Sequence, residues 1–247
     1  MHRFFAAGIF AKIVSIKKDD VKHIKNVLRL KVGDEITVVD EAGQSAICRL
    51  TALFADIEFS VVQTLEENNE PKLQVILAQG LGKGEKMDFV VQKAVELGVR
   101  EIVPLALDRC VTDYQGQRAL LKKERWQKIA EQAAKQAKRN VIPTVHDIMS
   151  LRELLETFAA DLRLVFYEKE EANGLRKILQ ENREKSKTVL LLIGPEGGLS
   201  EEEIKICHDL GLNTVSLGKR ILRTETAAVT ALSLVMYELG DLGGGYA

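Results

Sequence analysis

The chain has 247 residues, of which 46% are hydrophobic and 29% charged, a composition typical of a globular protein with a substantial core. No apolar run approaches the roughly 18 residues that span a bilayer, so we expect no membrane association. The three cysteines and four histidines form no CxxC pair and no HExxH motif, which favours reduced thiols in the cytoplasm and argues against a metal site. The net charge of −1 does not by itself indicate a nucleic-acid binder.

Short alternating segments predict a small sheet or barrel in the first part of the chain. These segments cover residues 35–39, 45–50 and 57–62. One helix interrupts the first part of the chain, because Val21, Ile24, Val27 and Leu28 recur at helical spacing. The polar and acidic residues 64–71 predict a linker, and we therefore place a domain boundary after residue 70.

Strands and helices alternate in the remainder of the chain. The predicted strands are residues 73–78, 101–107, 162–167, 188–193 and 213–217. The longest predicted helices are residues 86–97, 118–139 and 224–239. This alternation predicts an α/β fold with a mostly parallel sheet and helices on both faces.

Lysines and arginines cluster in two stretches, residues 17–31 and 118–139. A local basic face of this kind can bind phosphates even on a protein without net positive charge. Each stretch can equally be a solvated helix face. Charge alone does not decide between the two interpretations.

Two glycine-rich segments follow predicted strands. Residues 80–84 (Gly-Leu-Gly-Lys-Gly) fit neither GxGxxG nor GxxxxGK[ST], and we interpret them as a turn that carries a lysine. Gly194-Pro195-Glu196-Gly197-Gly198 is more informative, because proline fixes one φ angle and glycines adopt conformations that other residues avoid. It predicts a rigid loop that approaches a ligand closely at the carboxyl end of a strand, with an ordinary tight turn as the alternative.

A second loop, from Leu217 to the predicted helix at Thr224, also follows a strand. Ile221 and Leu222 are apolar residues in a loop, so they either cover a ligand such as an adenine ring or seal the end of the sheet. Lys219, Arg220 and Arg223 lie beside them. Their positive charge is available to an RNA phosphate or to a developing anion, unless these residues are simply solvated.

Together the two loops closely resemble the signature of the 16S ribosomal RNA uridine N3-methyltransferases. The matching residues are Gly194-Pro-Glu-Gly-Gly198 and Leu217-Gly-Lys-Arg-Ile-Leu-Arg-Thr-Glu-Thr-Ala227. Weaker matches extend over nearly the whole chain and include Arg3-Phe4-Phe5, Gln92-Lys93, Arg125-Trp126 and Pro143. These enzymes belong to the SPOUT class, in which the chain threads a deep trefoil knot around the cofactor site.

The resemblance implies a PUA-like, RNA-binding β-barrel domain over residues 1–70 and a knotted SPOUT methyltransferase domain over residues 71–247. It further implies binding of S-adenosyl-L-methionine, 16S rRNA of the small ribosomal subunit as the partner, and a homodimer. The implied cofactor contacts are Tyr167, Ile193, Gly194, Pro195, Glu196, Gly197, Gly198, Leu217, Gly218, Ile221, Leu222, Arg223, Thr224 and Thr226. The candidate RNA contacts are Arg3, Lys22, Lys25, Arg29, Arg139 and Arg220.

The implied reaction is displacement of the sulfonium methyl group by uracil N3. This nitrogen carries a proton in neutral uridine, so the site has to favour proton loss and stabilise negative charge on the neighbouring carbonyl oxygens. Arg223 is the first candidate for that stabilisation. Glu196 or Glu225 either accepts the proton or fixes a loop by bonding to backbone N–H groups.

Two alternative functions remain at this point. One keeps the knotted domain and methylates a ribose 2′-oxygen of tRNA or rRNA. The other is a non-catalytic RNA-binding factor of ribosome assembly, because a fold alone does not establish an activity.

Overall fold

The computed structural model describes residues 2–8, 10, 15–16, 18–53, 57–112 and 114–244, without the side chains of Ser15, Lys18 and Asp19. Lys17, at the start of the first basic stretch, lies outside the described residues. The chain forms two compact units. The first unit comprises Met1–Glu70 and Ala134–Ile142, and the second comprises Pro71–Ala133 and Pro143–Ala247.

The first unit is built on a five-stranded sheet in the order β2-β1-β3-β4-β5. Its strands are β1 (Arg3–Ala7), β2 (Ser15–Ile16), β3 (Glu35–Val39), β4 (Ser45–Leu53) and β5 (Ile57–Leu65). Helix α1 (Lys18–Lys22) continues into a π-helical turn at His23–Val27. β1 and β3 are parallel, whereas the other neighbouring strands are antiparallel. Phe4, Ile24 and Ile36 are among the buried side chains of its core.

The second unit contains a seven-stranded sheet in the order β12-β10-β11-β6-β7-β8, with β9 also paired to β7. Every pairing in this sheet is parallel. Its strands are β6 (Gln74–Gly80), β7 (Glu101–Ala106), β8 (Thr144–Val145), β9 (Met149–Ser150), β10 (Leu162–Phe166), β11 (Thr188–Ile193) and β12 (Asn213–Val215). The predicted α/β fold with a parallel sheet is therefore confirmed.

Helices α2 to α7 alternate with these strands along the chain. They are α2 (Lys86–Glu96), α3 (Gln117–Gln136), α4 (Leu151–Thr157), α5 (Leu175–Asn182), α6 (Glu201–Asp209) and α7 (Thr224–Glu238). α3 ends before residue 139, the predicted end, and Lys138 adopts a left-handed φ of 56° just beyond it, a conformation that ends α-helices. Among the described residues, no helix has the length and apolar character needed to cross a bilayer.

The central strands of the second sheet are apolar on both faces, as expected for a parallel sheet covered by helices. In β11, residues 189–193 are at most 2% exposed. β10, β11 and β12 are parallel members of one sheet, so their carboxyl ends meet at one edge. The helix that follows β12, α7, packs against β11, β6 and α2. Because β10 lies between β12 and β11 in the sheet, the segment from β12 to α7 crosses the end of β10. The loops that follow these three strands therefore lie together.

Candidate active site

A cavity of about 490 Å³ lies at the carboxyl ends of β10, β11 and β12. Pockets for small-molecule ligands typically measure about 300–1,000 Å³. Of the predicted cofactor contacts, all except Thr226 line this cavity. The members that line it are Tyr167, Ile193, Gly194, Pro195, Glu196, Gly197, Gly198, Leu217, Gly218, Ile221, Leu222, Arg223 and Thr224. The structure thus brings together two loops that are separate in sequence.

The glycine loop, defined as residues 194–198, is held from the side of β7 as well as from β11. Arg109 donates a hydrogen bond to the carbonyl oxygen of Gly197 at 3.2 Å, and a Cβ on Gly197 would lie 2.8 Å from the Cβ of Arg109. Gly198 has a φ of 71°, which favours glycine. The loop can therefore keep this shape only with glycine at both positions.

Helix α6 begins directly after the glycine loop with a capping box. Ser200 accepts a hydrogen bond from the N–H of Glu203, and the carboxylate of Glu203 accepts one from the N–H of Ser200. Ser200 Oγ also donates to Asp108 at 2.7 Å, and Glu203 accepts from the N–H of Asp108 at 2.9 Å. These bonds fix the end of the glycine loop to the segment after β7.

Residues 80–84, interpreted from the sequence as a simple turn, lie against the glycine loop. A Cβ on Gly80 would lie only 2.5 Å from the backbone nitrogen of Pro195, so this position requires glycine. The N–H of Lys83 donates to Glu196 Oε1 at 2.9 Å. This segment supports the glycine loop from outside the cavity, because β6 and β11 are neighbours in the sheet.

Lys86, at the start of α2, is a cavity residue that the sequence analysis missed. Its ammonium nitrogen lies 3.1 Å from Glu196 Oε1 and 3.5 Å from Glu225 Oε2. The hydrogen bond to Glu196 is the largest contribution to raising the pKa of Lys86. For Glu196, burial acts to raise the carboxyl pKa, but hydrogen bonds from the Lys83 N–H and the Lys86 ammonium lower it, and the net pKa lies below its usual range.

The second cavity loop, defined as residues 217–223, presents three apolar and three basic side chains to the cavity. Ile221 is 86% exposed at the cavity, so its apolar side chain is accessible to a ligand there. Lys219, Arg220 and Arg223 are also exposed there. Among the described residues, no hydrogen bond or ion pair engages the guanidinium of Arg223, which precedes α7 as its N-cap residue.

Thr224 anchors the start of α7 to the glycine loop. Its hydroxyl donates to the carbonyl oxygen of Gly194 at 2.6 Å and accepts from Gln79 Nε2 at 2.9 Å. Thr224 and Gln79 are both buried. Glu225 follows Thr224 but does not line the cavity, and Thr226 lies outside it with an exposed side chain.

The third cavity segment follows β10. The N–H of Tyr167 donates to the carbonyl oxygen of Val215 at 3.1 Å, which ties this segment to β12. Glu168 lines the cavity as well, and its carboxylate lies 3.0 Å from the position of a Cβ on Gly198. Glu168 was not predicted, because no motif of the sequence marks it.

The candidate RNA contacts have different environments. Arg3 donates to the carbonyl oxygens of Lys138 and Arg139. Arg139 is 3% exposed and pairs with Glu70 at 2.5 Å, so both guanidinium groups are engaged inside the first unit. By contrast, the side chains of Lys22, Arg29 and Arg220 are exposed and that of Lys25 is half-buried.

Comparisons with known proteins agree with this architecture. A family model described as "RNA methyltransferase domain" matches residues 68–236, and one described as "RNA methyltransferase PUA domain" matches residues 16–62. Ribosomal RNA small subunit methyltransferase E of Bacillus subtilis is 36% identical over 239 residues, which cover 95% of this chain and 93% of that protein. The protein of the same name from Aquifex aeolicus is 31% identical over 96% of this chain and 99% of its own.

A solved structure is similar over almost the entire chain. The crystal structure of ribosomal RNA small subunit methyltransferase E from Neisseria gonorrhoeae, bound to S-adenosyl methionine, matches with a TM-score of 0.88 and 34% identity. The match covers 98% of this chain and 99% of the other. The second unit matches an RNA methyltransferase domain and the first unit matches a PUA domain. The protein is therefore an RNA methyltransferase. The chain belongs to the family of ribosomal RNA small subunit methyltransferase E.

Proposed function

We propose that the protein transfers the methyl group of S-adenosyl-L-methionine to N3 of a uridine in 16S rRNA of the small ribosomal subunit. The observation that carries this proposal is the meeting of the glycine loop and the 217–223 loop across one cavity. Relatives named for methylation of small-subunit ribosomal RNA support the substrate. The relative from Neisseria gonorrhoeae, which is bound to S-adenosyl methionine, supports the cofactor. We further propose that the protein acts in the cytoplasm, as a homodimer.

The cavity fits this methyl donor in size and in surface chemistry. The glycine loop has few side chains, so its backbone N–H and C=O groups are accessible from the cavity and can bond to an adenine edge and to ribose. The exposed Ile221 offers an apolar surface for the adenine ring. When bound, S-adenosyl-L-methionine supplies a methyl group on a positively charged sulfur. We propose the cavity-lining contacts named above as its binding residues.

Arg223 is the proposed catalytic residue. Its side chain is exposed at the cavity, and among the described residues none forms a hydrogen bond or an ion pair with its guanidinium. Loss of the N3 proton places negative charge on the uracil carbonyl oxygens, and a cation beside them stabilises the transition state more than the ground state. Its backbone is held near the glycine loop, because the adjacent Thr224 bonds to the carbonyl oxygen of Gly194.

For Glu196 and Glu225 the contacts favour one of the two roles that the sequence leaves open. Glu196 accepts from the Lys83 N–H and pairs with Lys86, and its lowered pKa makes it a weak proton acceptor. Glu225 pairs with Lys86 and does not line the cavity. We propose that both carboxylates hold the loops in position instead of accepting the N3 proton.

For RNA we propose contacts from both units. The exposed Lys22 and Arg29, with Lys25, form the candidate phosphate-binding surface of the first unit, and Arg220 is the candidate at the cavity. We do not include Arg3 and Arg139 in this phosphate-binding surface, because their guanidinium groups bond within the first unit. Lysine and arginine contacts of this kind position RNA through its backbone and carry no sequence information themselves.

The test is methyl transfer from labelled S-adenosyl-L-methionine to small ribosomal subunits that lack the modification, followed by nucleoside analysis. The proposal predicts labelled 3-methyluridine, and subunits that already carry the modification serve as the control. A labelled 2′-O-methyl nucleoside would identify the ribose methyltransferase instead. A protein that binds the subunit but not S-adenosyl-L-methionine would be the assembly factor.

The role of Arg223 gives a separate prediction. Arg223→Ala should lower kcat by about 100- to 1,000-fold, the loss typical of removing one electrostatic donor to a developing anion. The protein should still bind S-adenosyl-L-methionine, because the proposed cofactor contact of residue 223 is made by its backbone. Arg220→Ala, in the same loop, is the matched control and should mainly raise KM for the subunit. Near-normal turnover of Arg223→Ala with bound cofactor would contradict the proposed role.

A further inference from the structure

Three charged side chains meet beside the cavity, and each comes from a different segment. Lys86 begins α2, Glu196 belongs to the glycine loop, and Glu225 lies in the first turn of α7. The ammonium nitrogen of Lys86 lies 3.1 Å from Glu196 and 3.5 Å from Glu225. One cation therefore bridges two carboxylates that belong to the two segments on either side of the cavity.

This cluster differs from an ordinary surface ion pair. The side chains of Lys86, Glu196 and Glu225 are 32%, 25% and 18% exposed, so solvent screens their interaction only in part. Glu196 Oε1 also accepts from the N–H of Lys83, which fixes the carboxylate independently of Lys86. Without the ammonium group, two carboxylates would face each other with no cation between them, and like charges at such distances disfavour their ionised forms.

We propose that Lys86 is a positioning residue that couples the glycine loop to the first turn of α7 by bridging Glu196 and Glu225. This inference rests on the proposed function, because both segments line the cavity that we assign to the methyl donor. Thr224 already bonds to Gly194 on the buried side of the same junction, and Lys86 joins the two segments on the solvent side. The spacing of the two segments, and with it the shape of the donor site, then depends on a charge carried by α2.

The coupling between Lys86 and Glu196 can be measured through the pKa of the Glu196 carboxyl group. The charged and titratable groups that face this carboxylate are Lys86, Glu225 and the Cys110 thiol. The pKa of Glu196 lies below its usual range because the Lys83 N–H and Lys86 together outweigh burial. Removal of the ammonium group raises that pKa, so the ionised form of Glu196 is lost at a higher pH than in the wild-type protein.

The test compares Lys86→Met and Lys86→Arg with Lys93→Met. Lys93 lies on the same helix and pairs with Glu96 at 2.8 Å with 36% side-chain exposure, but it does not line the cavity. Two quantities are measured on the full chain: the Kd for S-adenosyl-L-methionine by calorimetry across the acidic to neutral pH range, and the titration of Glu196 by NMR of ¹³C-labelled glutamate carboxyls. Glu196→Gln assigns the resonance.

Lys86→Met should weaken binding of S-adenosyl-L-methionine by about tenfold at neutral pH, the scale of one charge-assisted contact. The difference from wild type should shrink as the pH falls, because protonation of Glu196 removes the repulsion between the two carboxylates. The Glu196 resonance should titrate at a higher pH. Lys86→Arg should restore both quantities towards wild type, and Lys93→Met should change neither. The proposal is overturned if Lys86→Met binds the donor as wild type does and Glu196 titrates unchanged.

Two further outcomes keep the inference separate from the proposed function. If Lys86→Met does not fold, as judged by its thermal melt, Lys86→Gln replaces it and is held to the same two criteria. If the wild-type protein binds S-adenosyl-L-methionine but methylates no uridine, the proposed substrate is wrong, while the Kd and the Glu196 titration still decide the role of Lys86.

Discussion

Arg139 illustrates how a single residue of the first unit depends on its partner. Its guanidinium lies 2.5 Å from Glu70, with side-chain exposures of 4% and 14%. Glu70 also accepts from the N–H groups of Asn140 and Val141. A charge removed from water costs several kcal/mol unless it is paired and hydrogen-bonded, so each of these residues requires the other.

Loss of one partner should therefore lower the free energy of unfolding. Arg139→Ala leaves the Glu70 carboxylate buried without its cation, and the free energy of unfolding should fall by about 3–5 kcal/mol, as measured by urea denaturation. Arg49→Ala is the matched control, because Arg49 pairs with Glu35 at 2.8 Å but is 53% exposed, and it should cost less than about 1 kcal/mol. Equal losses in the two variants would show that burial of the pair is irrelevant.

For single residues, the sequence predicts those that belong to a contiguous motif. It does not predict residues whose role depends on partners far away in the chain. The glycine loop and Ile221 could be assigned to the cavity, because their unusual composition lies within a few residues of one another. Lys86 could not, because its partners are about 110 and 140 residues further along the chain. Arg139 was predicted to contact RNA because its charge is visible in the sequence, whereas its burial is not.

Among the elements, strands with strong apolar patterns could be predicted almost to the residue. β3 and β11 have the predicted bounds, and β12 ends two residues earlier. The two-residue strands β8 and β9 were not predicted, because two residues contain no periodicity. Their pairing with β7 depends on tertiary structure alone.

The end of β6 supplies a prediction at the scale of the element. Gly80→Ala would place a Cβ 2.5 Å from the backbone of Pro195, so β6 and the glycine loop would have to separate. We expect a loss of about 1–3 kcal/mol in the free energy of unfolding together with weaker binding of S-adenosyl-L-methionine.

Gly174→Ala is the control for this substitution. A Cβ there meets no atom within 4 Å, and the backbone φ is −76°, so the stability should change by less than about 1 kcal/mol. If Gly80→Ala had no larger effect than Gly174→Ala in both assays, the close approach of the two segments would not matter for the site.

For the whole molecule, the proposed homodimer has a physical basis in the second unit. α2 and α7 pack together, yet Phe89 on α2 and Leu234 and Tyr237 on α7 are 45%, 43% and 65% exposed. Exposed apolar side chains on packed helices are candidates for an interface. The trefoil knot expected from the family resemblance stays a prediction.

Sedimentation velocity tests this surface. Leu234→Glu should convert the proposed dimer into a monomer, because a carboxylate would then be buried at the interface without a partner. Leu210→Glu is the matched control, because Leu210 is 45% exposed but is the C-cap residue of α6 and belongs to neither α2 nor α7. A monomeric wild-type protein, or a Leu234→Glu variant that remains dimeric, would contradict the proposed interface.

The division of the chain into units has a consequence for synthesis. The first unit requires Ala134–Ile142 in addition to Met1–Glu70, and Arg139 and Asn140 in that segment bond to Glu70 and Gly43. A nascent chain therefore cannot complete its amino-terminal unit when residue 70 leaves the ribosome. At translation rates of about 5–20 residues per second, the strands of that unit wait several seconds for their missing segment, and the first unit matures only after β6 and β7 of the second sheet have been synthesised.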